Sequence, residues 1–169
     1  QIRCQDYRDV DGRFDRIVSV GMFEHVGCRN YDVFFRKCHG LLRDGGLMLL
    51  HTIGSNASVN STDPRLHRYI FPNGMLPSVA QIGRAIESRF VMEDWHNFGT
   101  DYDQTLMTWH ERVNLAWSDL GDRYDDRFRR MWNFYLLACA GAFRARDIQL
   151  WQIVLSKGRR ESGYRRPGL

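Results

Sequence analysis

The chain has 169 residues, 43% of them hydrophobic and 26% charged, with a formal net charge of +4. That length suffices for one ordinary domain with a core, and the composition is that of a soluble globular protein. No apolar run approaches the ~20 residues needed to cross a bilayer, and so mild a charge without a recognition motif argues against a nucleic-acid binder.

Gln1 rather than Met opens the chain, so a fragment lacking its true N-terminus is expected. The segment IRCQDYRDV reads as the tail of a strand running into a loop. FDRIVSV, Phe14–Val20, is a β-branched-rich apolar run that predicts a buried parallel strand. The chain then turns at Gly21 and sets Glu24 and His25 among the apolar residues of SVGMFEHVG. A carboxylate in that company needs a partner to stay charged.

Apolar residues at 31, 34, 35, 38, 41 and 42 have a helical period, with Asn30 as a natural N-cap and Gly45-Gly46 as a stop. LMLLHTI, residues 47–53, predicts a second buried strand. Strand, helix, strand over this span is a βαβ unit, which requires a parallel pair. Residues 54–78, rich in Gly, Ser, Asn and Pro, read as a long loop, followed by a short helix at 79–88 and a strand near 90–96.

Leu106, Trp109, Val113 and Trp117 share one helical face, and Tyr124, Phe128, Met131, Tyr135 and Cys139 share another. DIQLWQIVLS, residues 147–156, predicts a late or edge strand. The fold class is therefore α/β, with a mostly parallel sheet and an extra helical element over one end.

Ligands of open parallel sheets bind beyond the carboxyl ends of the strands. One such end delivers Gly21 and Glu24, the other His51 and Ile53, and neighbouring strands lie ~5 Å apart. If these two strands are neighbours, Glu24 and His51 can face one site, although a satisfied histidine at a strand end is at least as good a reading of His51. Asp6-Tyr7 suits a purine, with a hydrogen bond to its rim and stacking on its face, or else a solvated turn. The four cysteines form no CxxC pair and no zinc-finger spacing with histidine, which favours reduced thiols and no metal. The basic runs at 123–130 and 157–166 read as a solvated face and a frayed terminus, or as a surface for anionic lipid or nucleic acid, between which charge alone does not choose.

FDRIVSVGMFEHVG, LLHTIGS, YIFPNGMLPS, DWHNFGTDYDQTL and CAGAFRARDIQLWQ, in this order, resemble the cyclopropane-fatty-acyl-phospholipid synthases. The mycolic-acid cyclopropane synthases share a looser version. The resemblance implies the C-terminal portion of a Rossmann-like S-adenosylmethionine-dependent methyltransferase domain, with extra helices over a lipid site. Residues 1–169 would be a partial domain, inactive alone, whose first strands and glycine-rich cofactor loop lie upstream.

The implied reaction is methylene transfer to the cis double bond of a phospholipid-bound acyl chain, forming a cyclopropane with bicarbonate as base. Glu24, His51 and Tyr102 would match the bicarbonate-holding side chains, with Ile53 contributing its backbone. Cys139 would match an active-site cysteine, although an inert buried thiol fits its apolar face equally well. Gln5, Asp6 and Tyr7, with Gly21, would match the cofactor-binding region. The same likeness implies peripheral contact with the inner face of the cytoplasmic membrane and a possible homodimer. A methyl-branched or hydroxylated product, or an inactive lipid-binding fragment, is the alternative.

Overall fold

A computed structural model describes residues 1–59, 62–120, 123–158 and 163–168. Among these, four strands form one sheet in the order β1-β2-β4-β3: β1 is Phe14–Val20, β2 Leu42–Ser55, β3 Val91–Asn97 and β4 Ile148–Ser156. The helices are α1 (Tyr31–Leu41), α2 (Pro64–Tyr69), α3 (Val79–Ile86), α4 (Gly99–Leu115), α5 (Trp117–Leu120) and α6 (Asp126–Arg144).

The βαβ unit forms as the pattern predicts: β1 and β2 are parallel, with Val20 opposite His51 and α1 between them. The sheet as a whole is mixed rather than mostly parallel, because β4 runs antiparallel to both β2 and β3. Nor is β4 an edge strand. It lies between β2 and β3, where its nearly continuous apolar run can be buried on both faces. Strands β1 and β3 are the edges instead, and Val18 and Val20 of β1 are exposed rather than buried.

Local boundaries differ where backbone partners outcompete propensity. Helix α1 ends at Leu41, and Gly45 and Gly46 lie inside β2, where Gly45 N–H donates to Lys157 O and Gly46 O accepts from Lys157 N–H. Asn30 occupies the N-cap position, but its side chain donates back to Val26 O instead of capping α1. The opening segment contains a short 3-10 turn at Tyr7–Asp9 and no strand. The long loop contains α2, capped by the Asp63 carboxylate on the amides of Arg65 and Leu66. Ser78 and Gln81 form a reciprocal capping box that starts α3. Part of the basic 157–166 run lies outside the described residues, but its Arg166 is tied to Asp94 by a bidentate ion pair.

Two apolar clusters flank the sheet, divided by the alternation of strand side chains. Met48, Leu50, Trp151, Ile153 and Leu155 face α1 and α3 together with Phe23, Phe34 and Phe35. On the opposite face Leu150 and Ile53 meet Leu106 of α4 and Tyr135, Leu136 and Phe143 of α6. Each large side chain fully buried this way contributes roughly 1.5–3 kcal/mol relative to exposure. His51 and Gln152 are register partners between Leu49↔Val154 and Ile53↔Leu150, so they belong to the second face, beneath α4 and α6.

Candidate active site

The carboxyl end of β1 turns at Gly21, whose φ of 63° suits glycine and whose amide donates to His51 O at 3.0 Å. The next residues form a 3-10 turn, Phe23–His25, anchored by the fully buried Phe23 ring. That ring stacks on Tyr31 at 4.2 Å between centroids, which fixes the turn against α1. Anchoring residue 23 on one side of the turn sends Glu24 to the other.

Glu24 enters a cavity of about 300 Å³ between the sheet, α2, α4 and α6. Its Oε1 accepts the Ile53 amide at 2.8 Å, while its Oε2 is buried and has no hydrogen-bond partner. Above it, Met75 N–H donates to Glu24 O at 2.8 Å, so the 71–76 segment lies over the cavity.

Gly21, Glu24, His51, Ile53, Tyr102 and Cys139, all singled out from the sequence, line this one cavity. Its walls are otherwise mainly apolar, including Leu66, Phe71, Leu106, Phe143 and Leu150. Tyr102, on the first turn of α4, packs edge-on against Phe143 at 5.1 Å. Burial raises the Tyr102 phenol above its ordinary value, and nearby Cys139 and Glu24 add to that, so it stays an O–H donor at neutral pH. Cys139 is pushed up to about 11, chiefly by burial, and is therefore a thiol rather than a thiolate. All four cysteines are free.

Three of the proposed cofactor contacts are not brought to the cavity. Gln5 is exposed and donates to Asp9 O. Asp6 is exposed, and its hydrogen bonds from Arg8 hold its carboxyl down to about 2. Tyr7 meets Phe34 edge-on at 5.5 Å, beside the open flank of β1.

Sequence reading missed Gln152, because period-2 alternation within a strand does not say which strand, distant in sequence, lies beside it or in what register. Its Nε2 lies 3.2 Å from His51 Nδ1. With the amide nitrogen donating, the imidazole carries its proton on Nε2. Tyr135 was read as a helix-face residue only, yet it lines the cavity beside Phe71, 5.6 Å away.

A family described as mycolic acid cyclopropane synthetase matches residues 1–153. The chain belongs to this family. It is 60% identical over 157 residues to a cyclopropane-fatty-acyl-phospholipid synthase of Escherichia coli (strain K12), covering 93% of this chain and 41% of that protein. A probable fatty acid methyltransferase of Pseudomonas putida is 36% identical over 92% of this chain and 42% of its own length. The chain thus spans about two fifths of these relatives.

Among solved structures, mycolic acid cyclopropane synthase CmaA1 complexed with SAH and CTAB superposes with a TM-score of 0.81 at 28% identity. The match covers 89% of this chain and 58% of that one. Cyclopropane synthase MmaA2 from Mycobacterium tuberculosis gives 0.82 at 26% identity, over the same shares. The mixed sheet and its helices are accordingly those of the Rossmann-like methyltransferase fold that this family uses. No described helix is long and apolar enough to cross a membrane.

Proposed function

We propose that the protein carrying this chain transfers a methylene unit from S-adenosylmethionine to the cis double bond of phospholipid-bound acyl chains, closing it to a cyclopropane. The 60% identity to the Escherichia coli synthase supports the substrate class. The observation that carries the chemistry is the buried, unpartnered Glu24 Oε2 inside an apolar cavity shared with His51 and Tyr102. A buried carboxylate oxygen with no donor costs stability unless a ligand supplies one.

An alkene is a poor nucleophile, and S-adenosylmethionine, when bound, supplies an electrophilic methyl group on a sulfonium. Gly21 leaves open space where a Cβ would stand, so the end of β1 permits close approach of a ligand. Gln5, Asp6 and Tyr7 remain proposed cofactor contacts, and their distance from the cavity fits a cofactor whose adenosine end lies along the β1 flank. Leu66, Phe71, Leu106 and Phe143 keep water from a carbocation formed on the acyl chain.

The donor set also fits bicarbonate, which when bound supplies the base that removes a proton from the transferred carbon. Glu24 holds Oε1 on the Ile53 amide and offers Oε2 to an O–H donor. The His51 Nε2–H and the Tyr102 hydroxyl are donors to anionic oxygens. Ile53 contributes its backbone: its amide holds the Glu24 carboxylate in place. Cys139, as a neutral thiol on the wall, acts as lining rather than as a nucleophile.

In this reading the chain is the C-terminal part of a catalytic domain, and further chain covers the open β1 edge. The protein works at the inner face of the cytoplasmic membrane, with homodimerisation as a further property of the whole. The test is to incubate the whole protein with S-adenosylmethionine and unsaturated phospholipid. Gain of one CH2 with loss of the olefinic proton resonances is expected. Gain of CH2 with a retained double bond would instead favour a methyl-branching enzyme, in line with the Pseudomonas putida relative.

A further inference from the structure

Helices α2 and α6 meet beside the cavity in a groove lined by Arg65, Tyr69, Arg130 and Phe134, and floored by Leu66 and Tyr135. Leu66 and Tyr135 also line the catalytic cavity, so the groove and the cavity share a wall. The outer rim is apolar. Tyr69 is 46% exposed, Phe134 41% and Leu137 44%, although the core-facing side of α6 has buried residues at Tyr135, Leu136 and Phe143. Exposed aromatic and aliphatic side chains clustered together mark a contact surface.

The cations sit among these side chains. The Arg65 guanidinium lies 5.4 Å from the Phe134 ring centroid and that of Arg68 lies 5.4 Å from the Tyr69 ring. Neither they nor Arg130 form an ion pair among the described residues. The nearby carboxylates of Asp63 and Asp125 cap α2 and α6, while Asp126 is exposed on the first turn of α6. Asp63 and Asp147 line a neighbouring apolar hollow that shares Leu66 and Phe134 with the groove, while the groove itself is lined by two arginines and no carboxylate.

We propose that this α2–α6 face docks on an anionic phospholipid bilayer, with Arg65, Arg68 and Arg130 on headgroup phosphates and Tyr69, Phe134 and Leu137 in the interface. Arginine heads on aromatic and aliphatic neighbours match the layered polarity of a membrane surface, apolar inside and anionic outside. The docking rests on reading the cavity as an acyl-chain site: a chain leaving the bilayer beneath this face passes Leu66 and Tyr135 into it.

The test uses the whole protein carrying this chain. Its binding is measured by co-sedimentation with vesicles of equal parts phosphatidylglycerol and phosphatidylcholine. Each arginine near such a surface contributes about fivefold, so Arg65→Glu with Arg68→Glu and Arg130→Glu lowers binding by roughly 100-fold or more. The triple Arg→Lys variant, which conserves the charge, retains binding, and turnover of detergent-dispersed unsaturated phospholipid is unchanged in both.

Undiminished vesicle binding by the Glu variant would overturn the docking, as it would if another part of the protein covers this face. Equal loss in the Lys variant, or loss that persists on pure phosphatidylcholine, would also overturn it. Wild-type protein that binds vesicles through these arginines yet forms no lipid product would sink the transfer reading and leave the docking intact.

Discussion

The amide of Ile53, on β2, donates to Glu24 Oε1 at 2.8 Å across 29 residues of sequence. The carboxylate that looks misplaced after β1 is thereby pinned by the neighbouring strand, leaving Oε2 buried and free. One oxygen holds position and the other is available for a ligand's proton.

Glu24→Gln keeps an acceptor for the Ile53 amide but puts an NH2 donor where an acceptor is needed. The expected outcome is a fall in cyclopropane formation of roughly 100-fold or more, the scale of a lost proton-transfer arrangement, with lipid binding retained. Lipid mass spectrometry and a melting curve check it. Unchanged turnover would remove Glu24 from the mechanism.

Gln152→Leu keeps the volume and removes the hydrogen bond to His51 Nδ1. One such bond contributes about 1 kcal/mol, so kcat drops by roughly five- to tenfold with little change in KM for lipid. A rise in KM at constant kcat would assign Gln152 to lipid binding instead.

Alkaline pH tests the burial of two cavity groups, Cys139 and Tyr135, and of Cys38 in the core on the other face of the sheet. Burial pushes Cys139 up to about 11, Cys38 up to about 12 and Tyr135 up to about 12. Each holds its proton more tightly folded than unfolded, so their stabilisation is whole below pH ~9 and disappears as pH climbs through the folded values. The melting temperature should be flat to about pH 9 and fall beyond it. Cys139→Ala should flatten part of that fall and leave turnover largely intact, and a large activity loss would restore a chemical role for the thiol.

Gly54→Ala tests the packing of the sheet's other face. A Cβ at Gly54 would overlap the Trp151 ring, which is 2% exposed and packs edge-on against Trp95 at 4.9 Å. With the Trp151 ring buried against Trp95, the expected loss is about 3 kcal/mol, at the upper end of ordinary overpacking costs. A denaturant titration measures it, and a midpoint unchanged from wild type would show that the ring can shift.

Much of the secondary structure was legible because its causes are local. The 3.6-residue period produced α1, α4 and α6, and the β-branched run produced β1. What misled was equally physical. A continuous apolar strand reads the same in a parallel or an antiparallel setting, so the place of β4 at the centre of the sheet was invisible. Helix α2, only six residues long, lay hidden in a polar stretch whose signals favour turns.

The sequence alone determined that a carboxylate follows one strand and an imidazole lies in the next, and the βαβ rule makes those strands a parallel pair that can bring the two together. It also carried the family resemblance, since that lies in motifs that need no coordinates. Only the tertiary structure decided which Glu24 oxygen is satisfied, that Gln152 reaches His51, and that α4 and α6 close over both. Those outcomes depend on register between strands far apart in sequence and on which helix face packs inward. A local pattern does not encode either one.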